Sequence, residues 1–166
     1  MAKLQHFESE GSCYLVTVSV FERKPLLRDP ENAKTLIQVI YNQRSKGRFY
    51  LLGFVVMPEH FHILMVPRNS TRLPFVMQEI KKGSARLINM ATGNCGKFWM
   101  DEYHDSIVRG EQDLLVNLEY LANNPVRRGL VSEPSEYRFS STNGTYKTDL
   151  EELFSGSGTT PSTGER

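Results

Sequence analysis

Cysteine is scarce in this chain: of 166 residues only Cys13 and Cys95 carry a thiol, far apart and in no paired spacing. That excludes a disulfide framework or a thiolate metal site and leaves both as small buried apolar groups. Long apolar runs are also missing. No stretch reaches membrane-spanning length and no basic segment leads into an apolar one at the start, so a cytoplasmic protein without membrane contact is expected. Net charge is slight, +1 in all, and does not by itself announce a polyanion partner. Its distribution is uneven. Residues 44–97 carry nine Lys and Arg against Glu59 and Glu79, a balance of +7, whereas residues 98–119 carry six carboxylates against Arg109, a balance of −5. Such asymmetry predicts a charged face hidden by averaging over the chain.

What is present reads as one domain, residues 1–146, long enough to bury a core, with a flexible tail over 147–166. "CYLVTVSV" (13–20) alternates with period two and predicts a strand. Asp29 caps a helix that Pro30 opens, that Ala33, Leu36, Ile37, Ile40 and Tyr41 line, and that Gly47 closes. "FYLLGFVV" (49–56) predicts a strand apolar on both faces. Pro58-Glu59 turns the chain, and His60 to Val66 returns as a hairpin partner. A second helix spans Thr71 to Ala91, with an apolar stripe of Leu73, Val76, Ile80, Leu87 and Ile88 and a stop at Gly93. A fourth strand is expected within 97–109 and a third helix from Glu111 to Asn123. Strand, helix, strand, strand, helix, strand is the split βαβ order of an α+β, ferredoxin-like antiparallel sheet with both crossover helices on one face.

That topology gives meaning to "MPEHFHILMVP" (57–67). Phe61, Ile63 and Met65 turn to the helices, so His60 and His62 share the opposite face. Imidazoles at i and i+2 lie about 6–7 Å apart along a strand and can converge on one divalent ion. Two ligands do not complete a site. On the third helix the core stripe is Leu114, Leu115, Leu118, Leu121 and Ala122, which leaves Tyr120 off the stripe, on one side with Asp113, Asn117 and Asn124. Taken alone, Tyr120 equally suits a ring covering the sheet, and Asn124 before Pro125 suits the cap of a short following turn.

Four segments together resemble the single-tyrosine transposases of the HUH nuclease superfamily, and within it the REP-associated tyrosine transposases. They are "YLVTVSVFERKPLL", "MPEHFHILMVP", "FWMDEYHDSIVRGEQDL" and "YLANNPVRRGLV" with "YRFSS" just after it. The resemblance implies a ferredoxin-like fold in which His60 and His62 bind Mg²⁺ or Mn²⁺. It implies that Tyr120 is the nucleophile on the last helix and that Asn124 supplies a further metal contact, with Asn123 as a fallback. It also implies single-stranded hairpin DNA as substrate and a monomer or homodimer as the working unit. Two positions depart from the pattern. Glu59 replaces a common Asn and is expected to alter only the turn, and Asn124 replaces a common Gln, which shortens its reach.

Tyrosine attack on a metal-held phosphate would leave a 5′-phosphotyrosine and a free 3′-hydroxyl. Arg44, Arg48, Lys82, Arg86, Arg127 and Arg128 are the expected phosphate contacts. His104 and Asp105 are further candidates near the site, and Asp101 with Asp105 a rival metal cluster. Two other functions fit the same residues: a non-catalytic single-stranded nucleic-acid binding module, and a metal hydrolase acting through water.

Overall fold

The first strand forms where the period-two pattern places it, β1 at Cys13–Ser19, and the remaining elements follow in the expected order. They are α1 (Pro30–Ser45), β2 (Phe49–Val56), β3 (His60–Pro67), α2 (Leu73–Thr92), β4 (His104–Val108), α3 (Gly110–Arg127) and α4 (Leu150–Ser155). The coordinates are a computed structural model describing residues 11–155. The sheet is antiparallel throughout in the order β2-β3-β1-β4, the ferredoxin-like arrangement.

Local chemistry explains the boundaries. The Asp29 carboxylate accepts the Glu31 N–H at 2.9 Å, Pro30 occupies the first turn of α1, and Gly47 after it takes φ 71°. Gly93 at φ 70° ends α2 in the same left-handed way. The Met57 N–H donates to the His60 carbonyl at 2.8 Å and closes the hairpin.

The sheet separates two apolar layers. Val16, Val18, Phe54, Phe61, Ile63 and Met65 pack with Leu36 and Ile40 of α1 and Val76, Met77 and Ile80 of α2. On the other face Tyr50, Val55, Leu64, Val66 and Val108 pack against Leu114 and Leu121 of α3. His60 and His62 belong to that second face, where α3 lies across the sheet.

Several expectations change. Leu87 and Leu115 leave their stripes, Leu115 being 45 % exposed, while Met77 and Ser84 are buried on α2 instead. Cys95 is exposed, and only Cys13 is buried. The fourth strand is confined to His104–Val108, and before it Trp99 makes an isolated bridge to Val20. α3 runs on through Pro125 instead of stopping at Asn123. A proline disfavours helix at the residue before it, but Leu121, Asn124 and Pro125 are all buried, and that packing holds the last turn. Finally, the expected tail boundary at 147 is too early. The Lys147 carbonyl accepts from the Tyr41 hydroxyl, and Asp149 is buried against the Leu51 N–H at 2.7 Å. Residues 156–166 of that tail lie outside the described residues.

Candidate active site

Strand alternation brings the two histidines together at the start of β3. Their Nε2 atoms stand 3.1 Å apart, with the rings edge to face at 4.7 Å between centroids. Each outer nitrogen is engaged: His60 Nδ1 lies 3.0 Å from Glu59 Oε1, and His62 Nδ1 lies 2.7 Å from Thr17 Oγ1 on β1. A carboxylate only accepts hydrogen bonds, so His60 carries its proton on Nδ1 and its Nε2 lone pair faces the cleft. The Thr17 hydroxyl both donates and accepts, so His62 can take either tautomer. Burial lowers the pKa of both imidazoles. For His62 burial comes first, helped by the neighbouring His60 and by Arg127, and takes it to about 3. For His60 burial prevails over the opposing pull of Glu59. Both are therefore neutral at pH 7, the form that ligates metals.

α3 supplies the opposite wall. Because it crosses the sheet on the histidine face, Tyr120 sets its ring 5.4 Å from that of His62, centroid to centroid. Asn124 follows one turn later. These residues line a cleft of about 360 Å³ together with Thr17, Arg23, Arg127 and Arg128. Tyr120 is 37 % exposed while Asn124 is 6 % exposed. Asn124, buried as a residue, nonetheless contributes to the lining of that cleft. Asn123 is not in the cleft, and its amide donates to the Glu119 carbonyl at 3.1 Å.

This donor set fits a divalent cation. Two neutral Nε2 atoms at 3.1 Å have the separation of roughly 3 Å expected for neighbouring ligands on one ion, and the Asn124 amide lines the same cleft. Among the described residues no group of three His, Cys, Asp or Glu is close enough to hold a metal, which removes the Asp101 and Asp105 alternative. Asp101 is exposed and pairs with Lys97 at 2.5 Å.

The six expected phosphate contacts divide. Arg127 and Arg128 enter the cleft. Arg127 stacks over the Tyr120 ring at 4.5 Å and donates to the Tyr120 carbonyl at 3.3 Å. Arg44 is paired with Asp149, and Arg48 is held by Glu79 at 3.1 Å and by Gln43. Both lie at the end of the sheet where Phe49 pairs with Pro67, away from the histidine end where Val56 pairs with Phe61. Lys82 and Arg86 are exposed on α2, across the sheet from the cleft. His104 pairs with Thr17 across β4 and β1, so it stands in the same row as His62, but it does not line the cleft.

Three residues of the site carried no signal of their own in the sequence. Thr17 looked like one of several polar positions on an alternating strand. Arg23 reaches the cleft from a turn in which Glu22 and Arg23 adopt left-handed φ of 55° and 52°, a conformation no periodicity announces. Glu59, expected to change only the turn, gathers His60, Arg23 and Arg128 on one carboxylate oxygen.

Residues 10–124, and with them His60, His62, Tyr120 and Asn124, match the family model described as "Transposase IS200 like". The chain belongs to that transposase family. Its members are enzymes of DNA cleavage and transfer. The chain is 26 % identical over 143 residues to the REP-associated tyrosine transposase of Escherichia coli K12, covering 84 % of this chain and 82 % of that protein. It also superposes on the solved structure of a REP-associated tyrosine transposase bound to a REP hairpin, with a TM-score of 0.68 and 26 % identity, over 95 % of this chain and 93 % of that one. A further solved structure, from Deinococcus radiodurans R1, is 21 % identical, covers 68 % of this chain and 90 % of its own, and shares the fold with a TM-score of 0.52. Among the described residues no helix is long and apolar enough to cross a membrane.

Proposed function

We propose that this transposase cuts and rejoins single-stranded hairpin DNA, such as repetitive extragenic palindromes, with Tyr120 as nucleophile and a 5′-phosphotyrosine as intermediate. The observation that carries it is the meeting, in one cleft, of two neutral imidazoles whose Nε2 atoms stand 3.1 Å apart with the one tyrosine of α3 that leaves the core stripe. The hairpin carried by the superposable relative supplies the substrate class. We assign His60, His62 and Asn124 to a Mg²⁺ or Mn²⁺ ion. When bound, the ion supplies Lewis-acid polarisation of the scissile phosphate and balances charge in the in-line displacement.

The chain's own residues do the rest. Arg23, Arg127 and Arg128 bring three guanidinium groups to the cleft lining, and Glu59 behind it pairs with Arg23 and Arg128, so the rim carries a net positive charge suited to a phosphodiester. The Tyr120 hydroxyl attacks phosphorus, the bond to the 3′-oxygen breaks, and the phenolic proton ends on the released 3′-hydroxyl. Phosphodiester bonds are conserved in number, so the reverse attack by a 3′-hydroxyl rejoins strands without a nucleotide cofactor. Arg127, stacked on the Tyr120 ring, restricts that ring and so orients the attack. The working setting we assign is the cytoplasm, with the protein as a monomer or homodimer.

A denaturing gel tests this reading. With a radiolabelled hairpin oligonucleotide and Mn²⁺, the wild type gives a covalent protein–DNA band that Tyr120→Phe and chelation both abolish. Cleavage with no adduct would assign the cleft to hydrolysis through water, and metal-independent binding with no cleavage would assign it to a binding module. An adduct that persists in Tyr120→Phe would remove Tyr120 from its role.

A further inference from the structure

Oε1 of Glu59, buried behind the cleft-lining residues, touches three of them from different parts of the chain. It accepts from Arg128 Nη1 at 2.6 Å, from His60 Nδ1 at 3.0 Å and from Arg23 Nη2 at 3.3 Å. Arg128 follows the last turn of α3, and its N–H donates to the Asn124 carbonyl at 3.1 Å. Arg23 leaves the turn after β1 in a left-handed conformation. A non-glycine residue there is strained, so tertiary contacts hold it, and Glu59 is one of them. The Glu59 backbone is fixed as well, its carbonyl accepting the Val20 N–H at 2.8 Å.

From this we propose that Glu59 is a positioning residue that assembles the site. It locks His60 in the Nδ1–H tautomer with Nε2 turned into the cleft, and holds Arg23 and Arg128 at the rim beside it. The proposal rests on the reading of the cleft as a metal-dependent cleavage site. One carboxylate thereby couples the metal-binding and phosphate-binding halves and ties the end of the Tyr120 helix to the histidine strand. The asymmetry between the two imidazoles supports this. His60 Nδ1 faces a carboxylate, which only accepts, whereas His62 Nδ1 faces the Thr17 hydroxyl, which can donate or accept. A rotating hydroxyl lets His62 take whichever tautomer ion binding requires. His60 never has to change, because Glu59 has already set it. Partners of this kind behind metal-ligating histidines change metal affinity about 10- to 100-fold when removed.

Glu59→Gln keeps the shape and removes the charge, and its amide can donate to His60 Nδ1 and reverse the tautomer. Arg23 and Arg128 retain side-chain exposures of 61 % and 48 %, so both can turn to water and the variant folds. Nitrogen-15 NMR of histidine-labelled, metal-free protein reads the tautomer directly. The wild type is expected to show His60 protonated on Nδ1, and Glu59→Gln to show it protonated on Nε2. Mn²⁺ titration followed by electron paramagnetic resonance is expected to give about 10- to 100-fold weaker binding in Glu59→Gln. Hairpin affinity is expected to stay level or rise, since a carboxylate has left a phosphate site, while single-turnover cleavage falls at least about tenfold and partly recovers at high Mn²⁺. Glu59→Asp, which keeps the carboxylate, is expected to keep the Nδ1–H tautomer, and it serves as the test should Glu59→Gln unfold. An unchanged tautomer in Glu59→Gln, or Mn²⁺ affinity within twofold of wild type, overturns the proposal. A wild type that forms no DNA adduct overturns the strand-transfer reading alone, because the tautomer and Mn²⁺ measurements require no cleavage.

Discussion

Acid should loosen this fold earlier than its carboxylates alone would allow, and His62 is the reason. Burial lowers its pKa from the ordinary 6.5 to about 3, so the unfolded chain binds a proton that the native state refuses. Stability is then full above pH 6.5 and declines as pH falls below it, levelling only near pH 3. One pKa unit corresponds to about 1.4 kcal/mol, so lowering the pH from 7 to 5 should remove about 2 kcal/mol through His62 alone. His60 is shifted in the same direction and adds to the loss. Glu59 does not interfere in this window. Burial alone would raise its carboxyl, but the hydrogen bond from Arg128 and the nearby His60 outweigh burial and leave it below the ordinary carboxylate value. Its contribution is lost only at more acid pH. The assay is urea unfolding of chelator-treated protein at pH 7, 6 and 5, comparing wild type with His62→Gln. The wild type should lose about 2 kcal/mol or more on acidification, and the variant correspondingly less. Equal losses in the two proteins would refute the assignment of a buried neutral imidazole at this position.

Other outcomes follow from the same contacts. Leu121→Ala, which empties a buried position of α3 beside Gly53, should cost about 3 kcal/mol in urea unfolding and slow adduct formation by loosening the seat of Tyr120. Asp149→Ala strips the Leu51 N–H of its acceptor and Arg44 of its partner. It should cost about 2 kcal/mol, and truncation after residue 146 should cost at least as much. In hairpin-binding titrations at several salt concentrations, Arg127→Gln should lower the slope of log K against log salt by about 0.7 to 1. Lys82→Gln, across the sheet from the cleft, should leave that slope unchanged.

Gly53 shows how closely α3 is fitted to the sheet. A Cβ built there would meet Leu118 Cδ2 at 3.1 Å and Leu121 Cδ1 at 3.3 Å, and the β2–β3 register shifts between Leu51 and Gly53. The missing side chain lets the Tyr120 helix approach the sheet closely, and the irregularity in the ladder sits where that approach occurs. The placement of Tyr120 over the histidine face therefore depends on packing several residues away from it.

The sequence by itself determined the strand and helix order, the caps at Asp29, Gly47 and Gly93, and the division of "HFH" between two faces of a sheet. All of these are local: periodicity, left-handed glycines and side-chain alternation act within a few residues. It also marked Tyr120 and Asn124 as residues off the core stripe of α3. Tertiary structure alone decided which distant segments share the cleft. Arg44 and Arg48 looked like phosphate contacts in a basic stretch, yet Asp149 and Glu79, supplied from elsewhere in the chain, take them up. Pro125 looked like a helix boundary until the burial of its own turn was visible. Glu59 looked like a turn substitution, because nothing along the chain shows that Arg23 and Arg128 arrive from either side to meet the same oxygen that orients His60. Charge pairing across long sequence separations is set by the fold, and that is where the assembly of this site was hidden.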